Sequence, residues 1–304
     1  MKSAVAELVK HGLLRSGYYR RALGRSTFPG AVVLCYHGIR DDRMAPQAMA
    51  FQYLHMPVSI FESHCRLIRQ CCDPISLDDW RAAVAGRTTL PKRPVLITFD
   101  DGYRSVLRQA APILASHKLP ATVFVCTGPM KTGGLLWFDD VAARDGQDAV
   151  EDWKSRDYAA WSAACANTPA VGHDDPRALM SASELATLAR MPGIEIGGHT
   201  VNHPILARAT ADEQRQEIAA NLRSIREWTG KPVRTFAYPN GRPGLDYDAD
   251  TKAILRDAGI DTAFTTREEF ARPDESPLEG SRFVMLDTLS GGELAHRMAY
   301  SWPR

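Results

Sequence analysis

The chain of 304 residues contains no run approaching the eighteen or so consecutive apolar residues of a membrane span, so no transmembrane helix is expected. It also lacks net charge. Lys and Arg number 37 against 36 Asp and Glu, and the resulting +1 gives no reason to expect nucleic acid as a partner. Cysteine is sparse and unpatterned: Cys35, Cys65, Cys71, Cys72, Cys126 and Cys165 form no C-x-x-C pair and no disulfide framework. Cys35 and Cys126 fall inside predicted strands, where a free thiol behaves as a small hydrophobe, and a reducing compartment fits best. No internal repeat or low-complexity stretch breaks the chain. What remains is ordinary globular composition, 44% hydrophobic and 24% charged, long enough to bury a full core.

The N-terminus lacks an uninterrupted apolar region and a small-residue cleavage site, so it does not read as a signal peptide. Residues 1–28 are read as a basic helical segment. Lys2, Lys10, Arg15, Arg20, Arg21 and Arg25 surround Val5, Leu8, Val9, Leu13 and Leu14, which line one face of a helix. Such a segment either packs on the outside of the fold or lies on an anionic membrane surface. The expectation is a cytoplasmic chain, with peripheral contact at the inner membrane surface through this segment.

The stretch that organises the rest is Pro94-Val-Leu-Ile-Thr-Phe-Asp100-Asp101-Gly102-Tyr103. Its apolar and β-branched residues predict a strand with no wet face, central and buried. Two adjacent carboxylates stand at its C-terminal end, where burial is costly without a compensating cation or proton. Neighbours on a strand point to opposite sides, but a turn at Gly102 can bring both acids to one pocket. One then binds a metal and the other works beside it as a base. About a hundred residues on, Ile194-Glu-Ile-Gly-Gly-His199-Thr-Val-Asn-His203-Pro204 is again a strand running into a turn. His199 and His203 are four apart, which lets both imidazoles share one face of a helical turn. With one carboxylate they form a three-ligand set that leaves a position open for water, as catalytic zinc sites require.

Thr98-Phe-Asp-Asp-Gly102 followed by His199-Thr-x-x-His203-Pro204 resembles the motif pair of the polysaccharide deacetylases, also called the NodB-homology or carbohydrate esterase family 4 domain. The resemblance covers roughly residues 30–290. It implies a distorted barrel that removes acetyl groups from N-acetylated sugars with a divalent metal, zinc being the favoured ion. By the family pattern Asp100 is the catalytic base, and Asp101, His199 and His203 hold the metal.

Strand-helix alternation along the chain predicts an α/β fold, a distorted (β/α)7-type barrel over residues 29–304. Strands are expected at 31–36, 94–99, 120–125, 194–198, 233–238, 262–265 and 282–286, with active residues at their C-terminal ends. Capping boxes at Ser59-x-x-Glu62, Ser181-x-x-Glu184 and Thr210-x-x-Glu213 open helices. A helix from about 104 to 117 should kink at Pro112. Residues 40–57 read as loop, and about 130–180 as an insertion at the barrel mouth. There Trp137 is the candidate for stacking on a sugar ring, while His173 with Asp174-Asp175 reads as a solvated loop rather than a second metal site.

The chain departs from the family after the fifth strand. Where relatives carry an Arg-x-Pro-Tyr-Gly type motif, it has Phe236-Ala-Tyr-Pro-Asn240-Gly241. Ala237 thus occupies the place of the base-orienting arginine and Asn240 that of the tyrosine. The oxyanion role survives, since it belongs to a main-chain N–H near Asn240. Arg282, opening the last strand, is the candidate substitute for the arginine, against its reading as a surface residue. For the acid, the late Leu294-Ala-His296 has the family's letters but a helix-like context. His37, at the end of the first strand, is favoured. The resulting expectation is a deacetylase acting on an amino sugar in a polysaccharide, oligosaccharide or lipid-linked precursor. A hydrolase of C–N bonds in a small molecule, a glycan-binding pseudoenzyme and a structural metal protein are the competing readings.

Overall fold

The strand Pro94–Phe99 is buried along its whole length, as its lack of a polar face requires. In a computed structural model of the chain, residues 2–44, 51–165, 168, 170–172 and 174–302 are described. In chain order their strands are β1 (Val32–Tyr36), β2 (Gly38–Arg40), β3 (His55–Pro57), β4 (Asp73–Pro74), β5 (Pro94–Phe99), β6 (Ala121–Val125), β7 (Ile194–Gly198), β8 (Thr235–Ala237), β9 (Thr262–Phe264) and β10 (Phe283–Val284). The main sheet is parallel and runs β10-β1-β5-β6-β7-β8-β9, with short β4 also pairing to the start of β5. From β1 to β9 each strand of this path pairs with the next, and the last, β10, pairs with the first, β1, while β9 and β10 stay unpaired with each other at the open seam. The sheet therefore curls into a distorted, incompletely closed barrel, as the alternation of strand and helix predicts. Residues 277–282 run along β9 before entering β10, through Ala263 N–H to Pro277 O at 2.9 Å and Arg282 N–H to Arg267 O at 3.0 Å.

Alternation along the strands sorts the core into two parts. On β1 and β5, Val32, Leu34, Tyr36, Val95, Ile97 and Phe99 face the surrounding helices. Val33 and Leu96 face inward, where they join Phe124, Ala237 and Phe264. Thr98 and Asp100 continue the inward row, so the base candidate stands on top of the barrel filling.

The capping boxes at Ser181 and Thr210 open the helices Ala182–Ala189 and Ala211–Thr229, the latter closing on left-handed Gly230. Ser59 differs. Its helix, Val58–Cys71, starts one residue earlier at Pro57, and the Ser59 N–H is accepted by the carboxylate of Asp42 at 3.1 Å. A distant acid thus takes the place of the local box. Residues 104–117 are helical, and the interruption at Pro112 is a π-helical segment, Val106–Ala110, just before it. Proline lacks the N–H that would continue the ladder, and widening the preceding turn absorbs the mismatch. The expected loop at 40–57 is partly structured: β2 and β3 form a small parallel pair, and residues 45–50 lie outside the described residues. Between β6 and β7 stand the helices Thr127–Thr132, Trp137–Asp145, Gln147–Ser155 and Tyr158–Cys165. His173 lies outside the described residues, and Asp175 is bound by Arg177 at 2.8 Å. Residues 2–24 hold two helices, Lys2–Arg15 and Tyr18–Gly24.

The glycine pair ending β7 is set by close approach rather than by turn geometry. A Cβ on Gly197 would lie 2.4 Å from the Phe124 ring, which fills the barrel. Gly197→Ala should destabilise the protein by about 1–3 kcal/mol through overpacking. Urea unfolding checks this, and an unchanged midpoint would mean that the Phe124 layer yields freely.

Candidate active site

β5 delivers Asp100 inward by simple alternation, but Asp101 should then face outward. The reversal occurs one residue earlier than the sequence implies, at Asp101 itself, whose φ is 73°, with Gly102 following at 91°. This left-handed turn swings the second carboxylate to the same side as the first. Both are buried, 3% and 1% exposed, so each needs a positive partner.

Asp100 has its partner in Arg282. The guanidinium makes a two-pronged contact, Nη1 to Oδ1 and Nη2 to Oδ2, both at 2.7 Å. Its remaining geometry is fixed by Nε donating to Thr265 O at 2.8 Å and Nη1 to Thr98 Oγ1 at 3.3 Å. Arg282 is wholly buried, which removes its reading as a surface residue. Burial alone would raise the Asp100 carboxyl. Arg282, with His199 and His37 also nearby, overrides that and holds it well below the usual carboxylate range. Asp100 therefore stays ionised with one fixed orientation.

Asp101 faces the two histidines. Its Oδ1 lies 3.4 Å from His199 Nε2 and 3.6 Å from His203 Nε2, and it has no hydrogen-bond partner. The histidines do not share a helical turn. Thr200 and His203 both adopt left-handed backbone, at φ 68° and 63°, and the chain doubles back between them. Convergence comes from two reversals in place of helical spacing. His199 Nδ1 donates to Ala237 O at 2.7 Å, which turns Nε2 toward Asp101. Burial and the neighbouring His199 push His203 down to about 3, so it presents a neutral imidazole.

Among the described residues, Asp101, His199 and His203 are one of two groups whose ligand atoms all lie within 4.8 Å of one another. Ligands at 2.0–2.2 Å from a tetrahedral zinc stand about 3.3–3.5 Å apart, close to the spacing found here. The orphaned Oδ1, the neutral imidazole of His203 and the bond from His199 Nδ1 to Ala237 O all fit a divalent metal. The other group, Cys35, His37 and Asp100, fits poorly, because Arg282 already occupies both Asp100 oxygens and would repel a cation.

His37 is brought into the same cavity. It stands beside Asp100, with a ring nitrogen within 4.8 Å of a carboxylate oxygen. Its Nδ1 is buried without a partner. His296 is elsewhere, its Nδ1 3.2 Å from Tyr19 Oη beneath the N-terminal helices. Asn240 lines the cavity with left-handed backbone (φ 55°), and its side-chain Nδ2 is a buried donor with no acceptor.

Several supports are not visible in the motifs. Asn221 accepts from His199 N–H at 3.2 Å and donates to Val125 O at 2.9 Å. Glu217, one helical turn earlier, accepts from the N–H groups of Val201 and Asn202 at 2.8 and 3.0 Å. Their signal was two polar residues on the buried stripe of Ile218, Leu222 and Ile225. Trp137 is also a support. It is 3% exposed and donates Nε1–H to His203 O at 3.0 Å, so it is not available for stacking on a sugar. Phe51, Tyr53 and Phe138 are the aromatic residues that line the cavity on this side, in a space of about 300 Å³ that holds Asp100, Asp101 and both histidines.

The profile of the polysaccharide deacetylase family matches residues 87–263, more than half of the chain. That span includes Asp100, Asp101, His199, His203 and Asn240, whereas His37 and Arg282 lie outside it. A poly-beta-1,6-N-acetyl-D-glucosamine N-deacetylase of Escherichia coli K12 is 29% identical over 92 residues, which is 30% of this chain and 13% of that protein's length. The Streptococcus pyogenes deacetylase PplD superposes with a TM-score of 0.66 at 22% identity, over 90% of this chain and 99% of that one. IcaB from Ammonifex degensii does so with a TM-score of 0.65 at 22% identity, over 90% and 98%. At such identity these two likenesses are of fold. With the motif pair, the barrel and the profile in agreement, the chain belongs to the polysaccharide deacetylase family.

Proposed function

We propose that this protein is a metal-dependent deacetylase that hydrolyses the N-acetyl group of an amino sugar in a polysaccharide, oligosaccharide or lipid-linked glycan precursor. The observation that carries the reading is the asymmetry of the two carboxylates. Asp100 is locked and ionised by Arg282, whereas Asp101 faces two imidazoles with an unpartnered oxygen. Two acids with identical chemistry are thereby given different work. Asp101, His199 and His203 would hold the ion, zinc being the favoured identity. When bound, the metal supplies Lewis acidity that polarises the acetyl carbonyl and acidifies the attacking water.

Asp100 takes the proton from that water, its free lone pairs directed by the Arg282 fork. The oxyanion formed at the acetyl carbon is held by a main-chain N–H near Asn240, with the orphaned Asn240 Nδ2 as a second donor. His37 gives a proton to the departing amine, and its place beside Asp100 keeps the proton's path short. Phe51, Tyr53 and Phe138 give the sugar ring an apolar wall. The products are acetate and the free amino sugar.

Three outcomes test these assignments. In an assay of acetate release from an N-acetylglucosamine oligomer, Asp100→Asn should retain metal and lose rate on the order of 10²–10⁴-fold. Asp101→Asn, His199→Ala and His203→Ala should lose the metal. If metal analysis finds Asp100→Asn empty and Asp101→Asn full, the two roles are reversed. Sugar binding without acetate release by the metal-loaded wild type would make the chain a pseudoenzyme.

Arg282→Met should cost about 3–5 kcal/mol, because it strands a buried carboxylate. The Asp100 carboxyl is depressed in the folded state, so its pairing contributes stability fully present above the ordinary carboxylate value near 4. That contribution is lost as pH falls toward the depressed value. Denaturation measured from neutral to acid pH should show wild type and Arg282→Met converging, and a constant gap would remove the pair from the account.

His37→Ala should keep the metal and lower turnover at least about tenfold, as loss of a general acid does. His296→Ala should be nearly silent. The reverse pair of results would return the acid role to the late histidine.

A further inference from the structure

We propose that the N-terminal helices dock this protein peripherally on an anionic lipid surface. The helix Lys2–Arg15 is fixed to the barrel on one side only. There Lys10 pairs with Glu293, Glu7 accepts from Ser290 Oγ at 2.7 Å, and Leu13 and Leu14 pack against the core. The approach is close: a Cβ on Gly292 would lie 2.9 Å from the Lys10 carbonyl carbon. At 3.6 residues per turn, Val5, Leu8, Val9 and Gly12 fall within an arc of roughly 100° on the other side. Val5, Leu8 and Val9 are 62%, 77% and 54% exposed. A rigidly held helix thus presents a dry face outward.

Charge identifies what covers that face. Six cations and one acid give residues 1–30 a net charge of +5, so the rest of the chain, within a total of +1, carries −4. Arg15, Arg20, Arg21 and Arg25 follow one another with no acidic residue among them, and all are exposed. Beside them Tyr18 and Tyr300 are exposed with their hydroxyls 3.1 Å apart, aromatic groups with one apolar body and one wet tip. A second copy would set this basic patch against itself across a two-fold axis, and the like charges repel. Nucleic acid would satisfy the arginines but strand the apolar stripe in water. A bilayer of anionic lipid meets both demands, taking the stripe below its headgroups and the arginines at their level. No helix of the described residues is long and apolar enough to cross, so the attachment is to one surface.

Flotation of the full-length protein with vesicles tests this. Wild type should float with phosphatidylcholine vesicles containing phosphatidylglycerol and stay behind with phosphatidylcholine alone. Binding should fall sharply at about 1 M salt, where screening shortens to a few ångströms. Leu8→Asp and the double change Arg20→Glu/Arg21→Glu should each weaken binding at least about tenfold, with circular dichroism showing both folded. No flotation with anionic vesicles, equal flotation with neutral ones, or an unaffected Leu8→Asp would overturn the proposal. So would a dimer in sedimentation that Leu8→Asp dissolves, since the face would then belong to a second copy. None of these readings depends on deacetylase activity.

Discussion

Two carboxylates adjacent in the chain cannot both be buried at one strand end unless each is neutralised, and most of the upper half of the barrel answers that demand. One fully buried guanidinium is committed to Asp100. It is held by β5 through Thr98 and by the loop after β9 through Thr265. The second carboxylate has only imidazoles before it, and these are held in turn by Ala237 O, Asn221 and Trp137. The single arginine balances Asp100, and Asp101 is left to the imidazoles of His199 and His203. The different settings of the two acids are therefore a consequence of where a single arginine sits.

Backbone strain follows the same map. Five non-glycine residues among those described adopt left-handed φ, and Asp101, Thr200, His203 and Asn240 all line or adjoin the cavity. Such conformations are uncommon for these residue types and persist where surrounding structure over-determines them. Here they aim side chains that regular strand or helix geometry would send elsewhere. The hydrogen bonds that Glu217 accepts from the N–H groups of Val201 and Asn202 clamp the turn that contains two of the four.

Much of this was legible in sequence, and the failures have a common cause. The first barrel strands announce themselves because burial on both faces favours apolar runs, as in Val32–Tyr36 and Pro94–Phe99. The acids and histidines stand at strand ends, where chemistry has few places to hide. Arg282 could be nominated because a missing charge must be supplied from some strand end. What sequence reading lost was direction. A four-residue spacing suggested a helical turn for His199 and His203, whereas two left-handed reversals bring them together. Trp137 was nearest a strand end, yet its indole N–H found a carbonyl and its ring was buried. The Ser59 box gave way to Asp42, seventeen residues away, since a local pattern cannot reveal a distant competitor. Those outcomes are decided by tertiary contacts between segments far apart in the chain.

The order of strands around the barrel also has a temporal meaning. Because β10 closes on β1, the partner of Asp100 belongs to a segment synthesised more than 180 residues after the acid itself. Chains emerge and begin to fold from the N-terminal end. Until Arg282 arrives, β5 carries a carboxylate with no counter-charge, and the barrel filling beneath it cannot be sealed from water at acceptable cost. Closing the barrel against β1 and neutralising Asp100 therefore draw on the same distant segment of the chain.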